Sequence, residues 1–169
     1  MRSIRLCAAL WVRHLGLAHA RFRTVPRRRL MGTTDDLTLT ILRLVLGAVF
    51  FAHGAQKMLG WFGGYGFSGT IDFFSQQMHI PGPFALLAID AELFGSIGLI
   101  LGLLGRVAAF GIAWNMVVAI CMVHWHFGLF ANWSGTQKGE GFEYHLLVIA
   151  ITLAIMIKGS GAISLDRVL

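Results

Sequence analysis

Apolar positions in this chain fall into four long runs, each carrying ionisable residues near one end. The runs are Leu37–Leu59, Phe84–Leu104, Val107–Phe127 and Phe142–Ile157. A helix needs about 20 mostly apolar residues to cross a bilayer core, a length that the first three reach. The fourth has 16 residues and, at about 1.5 Å per residue, rises roughly 24 Å, so Glu143, Tyr144 and His145 belong inside the helix at or below the headgroups. Runs of this length do not suit barrel strands, and lipid then permits only helices. The pattern predicts an all-α fold: a four-transmembrane-helix bundle. Pro83 suits the first turn of the second helix, and only Gly105-Arg106 separates the second from the third. Between the first two spans, "TIDFFSQQM" predicts a short interfacial helix in the first outside loop, capped by Thr70, with Ile71, Phe74 and Met78 on one face.

Composition agrees. Hydrophobic residues make up 56% of the chain and charged ones 13%, with a mean hydropathy of +0.71, against about 45–50% and about 25% in soluble domains. A soluble monomer is excluded, and the expected partner is the lipid bilayer. The net charge of +6 is an arm's property. Eight of the 14 basic residues lie in the first 30 positions, and the rest of the chain holds the other six against all eight acidic residues. The charge therefore carries no nucleic-acid inference. Residues 1–30 form a basic arm outside a membrane domain at 31–169. The arm reads as an Arg-rich amphipathic segment, as a poorly matched twin-arginine signal, or as upstream sequence before a start at Met31. Cys7 and Cys121 make no C-x-x-C pair, which removes a self-contained dithiol mechanism.

The remaining cations set the orientation. Arg106, Lys158 and Arg167 fall on the side of the basic arm, Lys57 and Lys138 on the other, so both termini are expected in the cytoplasm. Every span then brings ionisable groups to the outer side: His53, Gln56 and Lys57; Asp90 and Glu92; His124 and His126; Glu143 and His145. Such groups are costly in lipid and tend to face a bundle interior or a wet cavity, where they pair. At 100° per residue, Glu92 lies about 60° from Gly95, within a small-residue stripe running from Ala88 to Gly102, whereas Asp90 lies about 140° away. Arg43, Gly47, Gly54 and Lys57 share a face, with His53 at its edge. Glu143 shares one with Leu147, Ala150 and Ala154, and helical angles favour His126 over His124. A lone lysine often snorkels to the headgroups, a lone histidine often stays interfacial, and Asn115 reads as interhelical glue. The co-location of four sets is what stands out. The expectation is that Glu92 and Glu143 meet the His53/Lys57 face in a shared outer cavity, while Arg43 pairs with a lipid phosphate or Asp36.

The segments "LRLVLGAVFFAHGAQKMLG", "AELFGSIGLILGLLGR", "VHWHFGLFANWSGTQKGEGFEYHLL" and "GSGAISLDRVL" resemble the DoxX family of small bacterial and archaeal membrane proteins, from about Leu37 to Leu169. The resemblance implies a four-helix bundle of the bacterial inner (plasma) membrane, associated with membrane redox chemistry. Some relatives are subunits acting on quinones and sulfur compounds, or accompany oxidative-stress enzymes. Carried over, the family pattern marks Arg43, His53, Gln56, Lys57, Glu92, His124 and Glu143, preferring His124 where helical angles prefer His126.

Function stays open between classes. One reading is an oxidoreductase subunit that binds a quinone, with His53, Lys57, Glu92, His124 and Glu143 in the chemistry and Arg43, Gln56, His126 and His145 holding the cofactor. Histidines and carboxylates suit the proton transfers involved. A second is a non-enzymatic anchor for other redox subunits or soluble oxidative-stress enzymes. A third is a small-molecule or proton carrier. The H-x-H pair at 124–126 is weak evidence for a metal, so no metal ligand is assigned. A b-type haem would need two opposed histidines such as His53 and His124.

Overall fold

The computed structural model describes residues 30–169; the basic arm assigned to residues 1–30 lies outside them, save for Leu30. Every regular element among the described residues is helical. Helix α1, Leu37–Leu59, starts where the Asp36 carboxylate accepts hydrogen bonds from Thr38 N (2.9 Å) and Leu39 N (3.4 Å), the usual remedy for unpaired first-turn amides. It stops at Gly60, whose φ of 73° is left-handed. Asp36 is therefore a cap and not the partner of Arg43.

Helix α2, Gly66–Asp72, runs into a π-helical turn, Phe73–Gln77. It begins well before Thr70, so Thr70 is no cap. Its buried hydroxyl donates to the Lys57 carbonyl at 3.1 Å and closes the end of α1. Helix α3, Gly82–Leu101, ends short of the expected Leu104 because Gly102 turns left-handed, with φ 66°. Helix α4, Gly105–Met122, ends short of Phe127. Val123 leaves helical geometry, and His124–Phe127 form a 3-10 turn. Helix α5 is Glu143–Lys158 and helix α6 Leu165–Val168. By length and composition α1, α3 and α4 are each able to cross a membrane. Large side chains point outward along the long helices, among them Leu87, Phe94, Trp114 and Leu147. A surface this apolar belongs in lipid, and the chain is a membrane protein.

Packing is closest between α1 and α3. A Cβ at Gly54 would sit 2.7 Å from the Leu93 backbone, and one at Gly47 2.8 Å from Ile100. The backbones touch where both positions lack a side chain. The small-residue stripe of α3 instead meets α4: Ala91 lies against Gly111, and Asn115 Nδ2 donates to the Ala88 carbonyl at 2.8 Å. Leu46, Phe50, Leu99, Ile112, Met116, Val148 and Ile155 fill the centre. The buried face of α5 is His145, Val148, Thr152 and Ile155. Leu147 and Ala150, which share Glu143's face, are exposed, so that alanine-lined face looks outward.

The end where α1 begins is tied by a polar knot. The Arg43 guanidinium is 1% exposed and donates to the carbonyls of Leu99, Ile100, Ser160 and Ile163. Arg106 does the same for Met156, Ile157 and Gly32. Both arginines supply donors to the orphan carbonyls of helix C-termini. The Asp166 carboxylate accepts from Leu104 N (2.7 Å), Gly105 N (3.0 Å) and Ser160 Oγ (2.6 Å), covering the start of α4.

Candidate functional site

At the opposite end of the bundle, α1, α3, α4 and α5 surround a cavity of ≈ 510 Å³, well within the range of small-molecule sites. Phe50, Met116, Ala119 and the Tyr144 ring give it apolar walls. Two polar pairs stand in it.

The first pair is Lys57 with Glu92. The last turn of α1 carries Lys57, and the Gly54–Leu93 contact brings that turn against the middle of α3. There Lys57 Nζ donates to Glu92 Oε2. Glu92 is buried, and a carboxylate so placed needs a partner. His53, one turn before Lys57, also lines the cavity but is exposed, its ring 6.1 Å from that of Phe50.

The second pair is His124 with His145, ring centroids 4.1 Å apart and tilted by 44°. His124 sits on the 3-10 turn, with Nδ1 2.7 Å from the Glu140 carbonyl. A carbonyl only accepts, so Nδ1 carries the hydrogen and Nε2 of the uncharged ring keeps its lone pair. His145 is 8% exposed, and its Nδ1 is sealed without a hydrogen-bond partner.

Other expected residues lie elsewhere. Glu143 Oε1 accepts from Trp133 Nε1 at 2.7 Å, on the outward side of α5. Gln56 Nε2 donates to the Phe62 carbonyl at 3.3 Å and braces the turn after α1. His126 is exposed and does not line the cavity. The angles that favoured it assumed α-helix through Phe127, whereas the helix breaks at Val123. Arg43 is 14 positions before Lys57, roughly 21 Å along the helix, in the knot at the other end.

Sequence reasoning left out Tyr144, Met116 and the loop residues Ala131, Glu140 and Gly141, which complete the lining. The loop folds over the cavity through its own bonds. Asn132 N donates to Glu140 Oε2 (2.6 Å), and Gln137 N to Asn132 Oδ1 (3.0 Å). Phe142 N and Glu143 N donate to the carbonyls of Gly128 and Leu129 (3.1 and 2.8 Å). Among the described residues no group of three or more His, Cys, Asp or Glu side chains is arranged to hold a metal ion.

Two family profiles match the chain: DoxX over residues 38–125, and the profile described as "TQO small subunit DoxD" over residues 82–169. A Bacillus subtilis (strain 168) protein named "Putative oxidoreductase CatD" is 30% identical over 136 residues, 80% of this chain and 90% of the relative. A Haemophilus influenzae protein, "Uncharacterized protein", is 32% identical over 132 residues, 76% of this chain and 88% of its own. No solved structure matches.

Proposed function

The chain belongs to the DoxX family, and from that premise we propose that it is a membrane component of quinone- or sulfur-linked redox chemistry whose cavity receives a quinone ring. One observation carries the reading: a cavity of ≈ 510 Å³ with aromatic and thioether walls and two polar pairs in its lining. A quinone is a flat apolar ring with two carbonyl oxygens. Phe50, Met116 and Tyr144 would hold the ring, and Lys57 and the histidines would face its oxygens. When bound, the quinone supplies the two-electron chemistry that no side chain here provides. The His124 imidazole, whose Nε2 keeps its lone pair, would take or give the proton. The name of the Bacillus relative supports an oxidoreductase role.

The test is direct. Protein purified in mild detergent should carry quinone extractable by organic solvent, and should bind added decylubiquinone saturably. Protein with neither property would retire the redox reading. It would favour a second one, an anchor for other redox subunits or soluble oxidative-stress enzymes, which the description "small subunit" in a matching profile supports.

We further propose α5 as a fourth, short span, α2 as a helix in the outer interface, and both ends of the membrane domain on the cytoplasmic face of a bacterial inner membrane. Arg106, Lys158 and Arg167 at one end motivate this orientation. With native cysteines removed, Tyr65→Cys and Gln137→Cys should react with an impermeant maleimide in whole cells, and Val168→Cys only after lysis. Labelling of position 168 in intact cells would reverse the orientation.

A further inference from the structure

The two nitrogens of His145 have different surroundings. Nδ1 is buried and has no partner. Nε2 makes no hydrogen bond to the described residues and keeps accessible surface, on a residue that lines the cavity. His145 is the third residue of α5, in the first turn, where backbone N–H groups point toward the helix start and create a positive potential. A lone pair at Nδ1 complements that potential, while an N–H there would oppose it and would also be an orphaned buried donor. The hydrogen of the uncharged ring therefore sits on Nε2. A second proton would have to go to Nδ1, where no acceptor waits, on a ring whose centroid lies 4.1 Å from that of His124.

We propose that His145 is the ligand-orienting donor of the cavity: an uncharged imidazole whose Nε2–H hydrogen-bonds a carbonyl oxygen of a neutral ligand. An uncharged imidazole at a helix N-terminus polarising a carbonyl is known chemistry elsewhere. The other polar groups fit the assignment. The charges of Lys57 and Glu92 cancel each other, the Glu140 carboxylate is taken up by Asn132 N, and His124 is tied to the Glu140 carbonyl. With the Lys57 charge paired and the Glu140 carboxylate still negative, an anion gains little and a neutral carbonyl compound fits. The assignment rests on the quinone reading and adds which atom meets which oxygen.

The experiment compares wild type, His145→Gln and His145→Phe, each checked for helical content and a monodisperse elution profile, with decylubiquinone as probe. Gln retains an N–H donor and Phe none. Wild type should bind and shift the probe's infrared carbonyl stretch downward. His145→Gln should bind within about threefold of wild type and keep the shift, and His145→Phe should bind about tenfold more weakly and lose it. Equal binding and an unchanged carbonyl band in a folded His145→Phe protein would overturn the assignment while leaving the quinone reading intact. Absence of binding to wild type would overturn both. If His145→Phe fails to fold, His145→Leu is read in its place, and a bound probe with an unshifted band in wild type overturns the assignment by itself.

Discussion

Lys57→Met is expected to destabilise the protein by about 3–5 kcal/mol, the usual cost of stranding one partner of a buried ion pair, and more than Glu92→Gln does. The asymmetry follows from exposure: the Lys57 side chain is 29% exposed and that of Glu92 8%. A freed lysine on the last turn of α1 reaches water along its own flexible stem. A freed Glu92 carboxylate is held in the middle of α3 against Leu93 and Gly54 and has nowhere to go. The double variant should recover much of the loss, because neither charge is then left alone. Thermal or denaturant unfolding in detergent gives the four corners of the cycle. Additive effects would show that the two residues do not depend on each other.

Arg43→Met should leave little folded protein, and Arg43→Lys should rescue it only partly. The guanidinium answers four carbonyls from two separate segments, the end of α3 and the irregular segment 159–164. Each buried acceptor left without a donor costs about 1–3 kcal/mol, so the summed loss approaches a typical total stability of about 5–15 kcal/mol. An ammonium donates from one point and does not reproduce the planar fork. Asp166, close enough to act on Arg43 electrostatically, would also lose its countercharge. The readout is the folded fraction after detergent extraction and its melting temperature. Wild-type stability in Arg43→Lys would show that charge alone suffices there.

Helical periodicity made the Lys57–Glu92 pair legible, because both residues lie on long α-helices and glycines marked where the backbones meet. It did not extend to the ends of helices. His126 was favoured only while α4 was carried past Val123; in the 3-10 turn the angles change and His124 faces the cavity. Arg43 and Lys57 do share a face, but a face says nothing about depth, and the two sit at opposite ends of it. Glu143 was placed inward by an alanine stripe, whereas α5 buries its Val148, Thr152 and Ile155 side. The loop 128–142 was the least readable part. Its closure depends on bonds such as Asn132 to Glu140 and Trp133 to Glu143, between residues with no periodic relation, and it supplies part of the cavity wall.

The knot at Arg43 also joins parts of the chain that are synthesised far apart in time. Arg43 belongs to the first long helix of the described residues, yet two of its acceptors, the carbonyls of Ser160 and Ile163, lie 117 and 120 positions further along the chain. Until residues 160 and 163 are made, the guanidinium lacks two of its four acceptors. A chain cut before Gly159 is therefore expected to leave the Arg43 knot half made, and limited proteolysis in detergent should cleave it faster than the chain that carries residues 159–169.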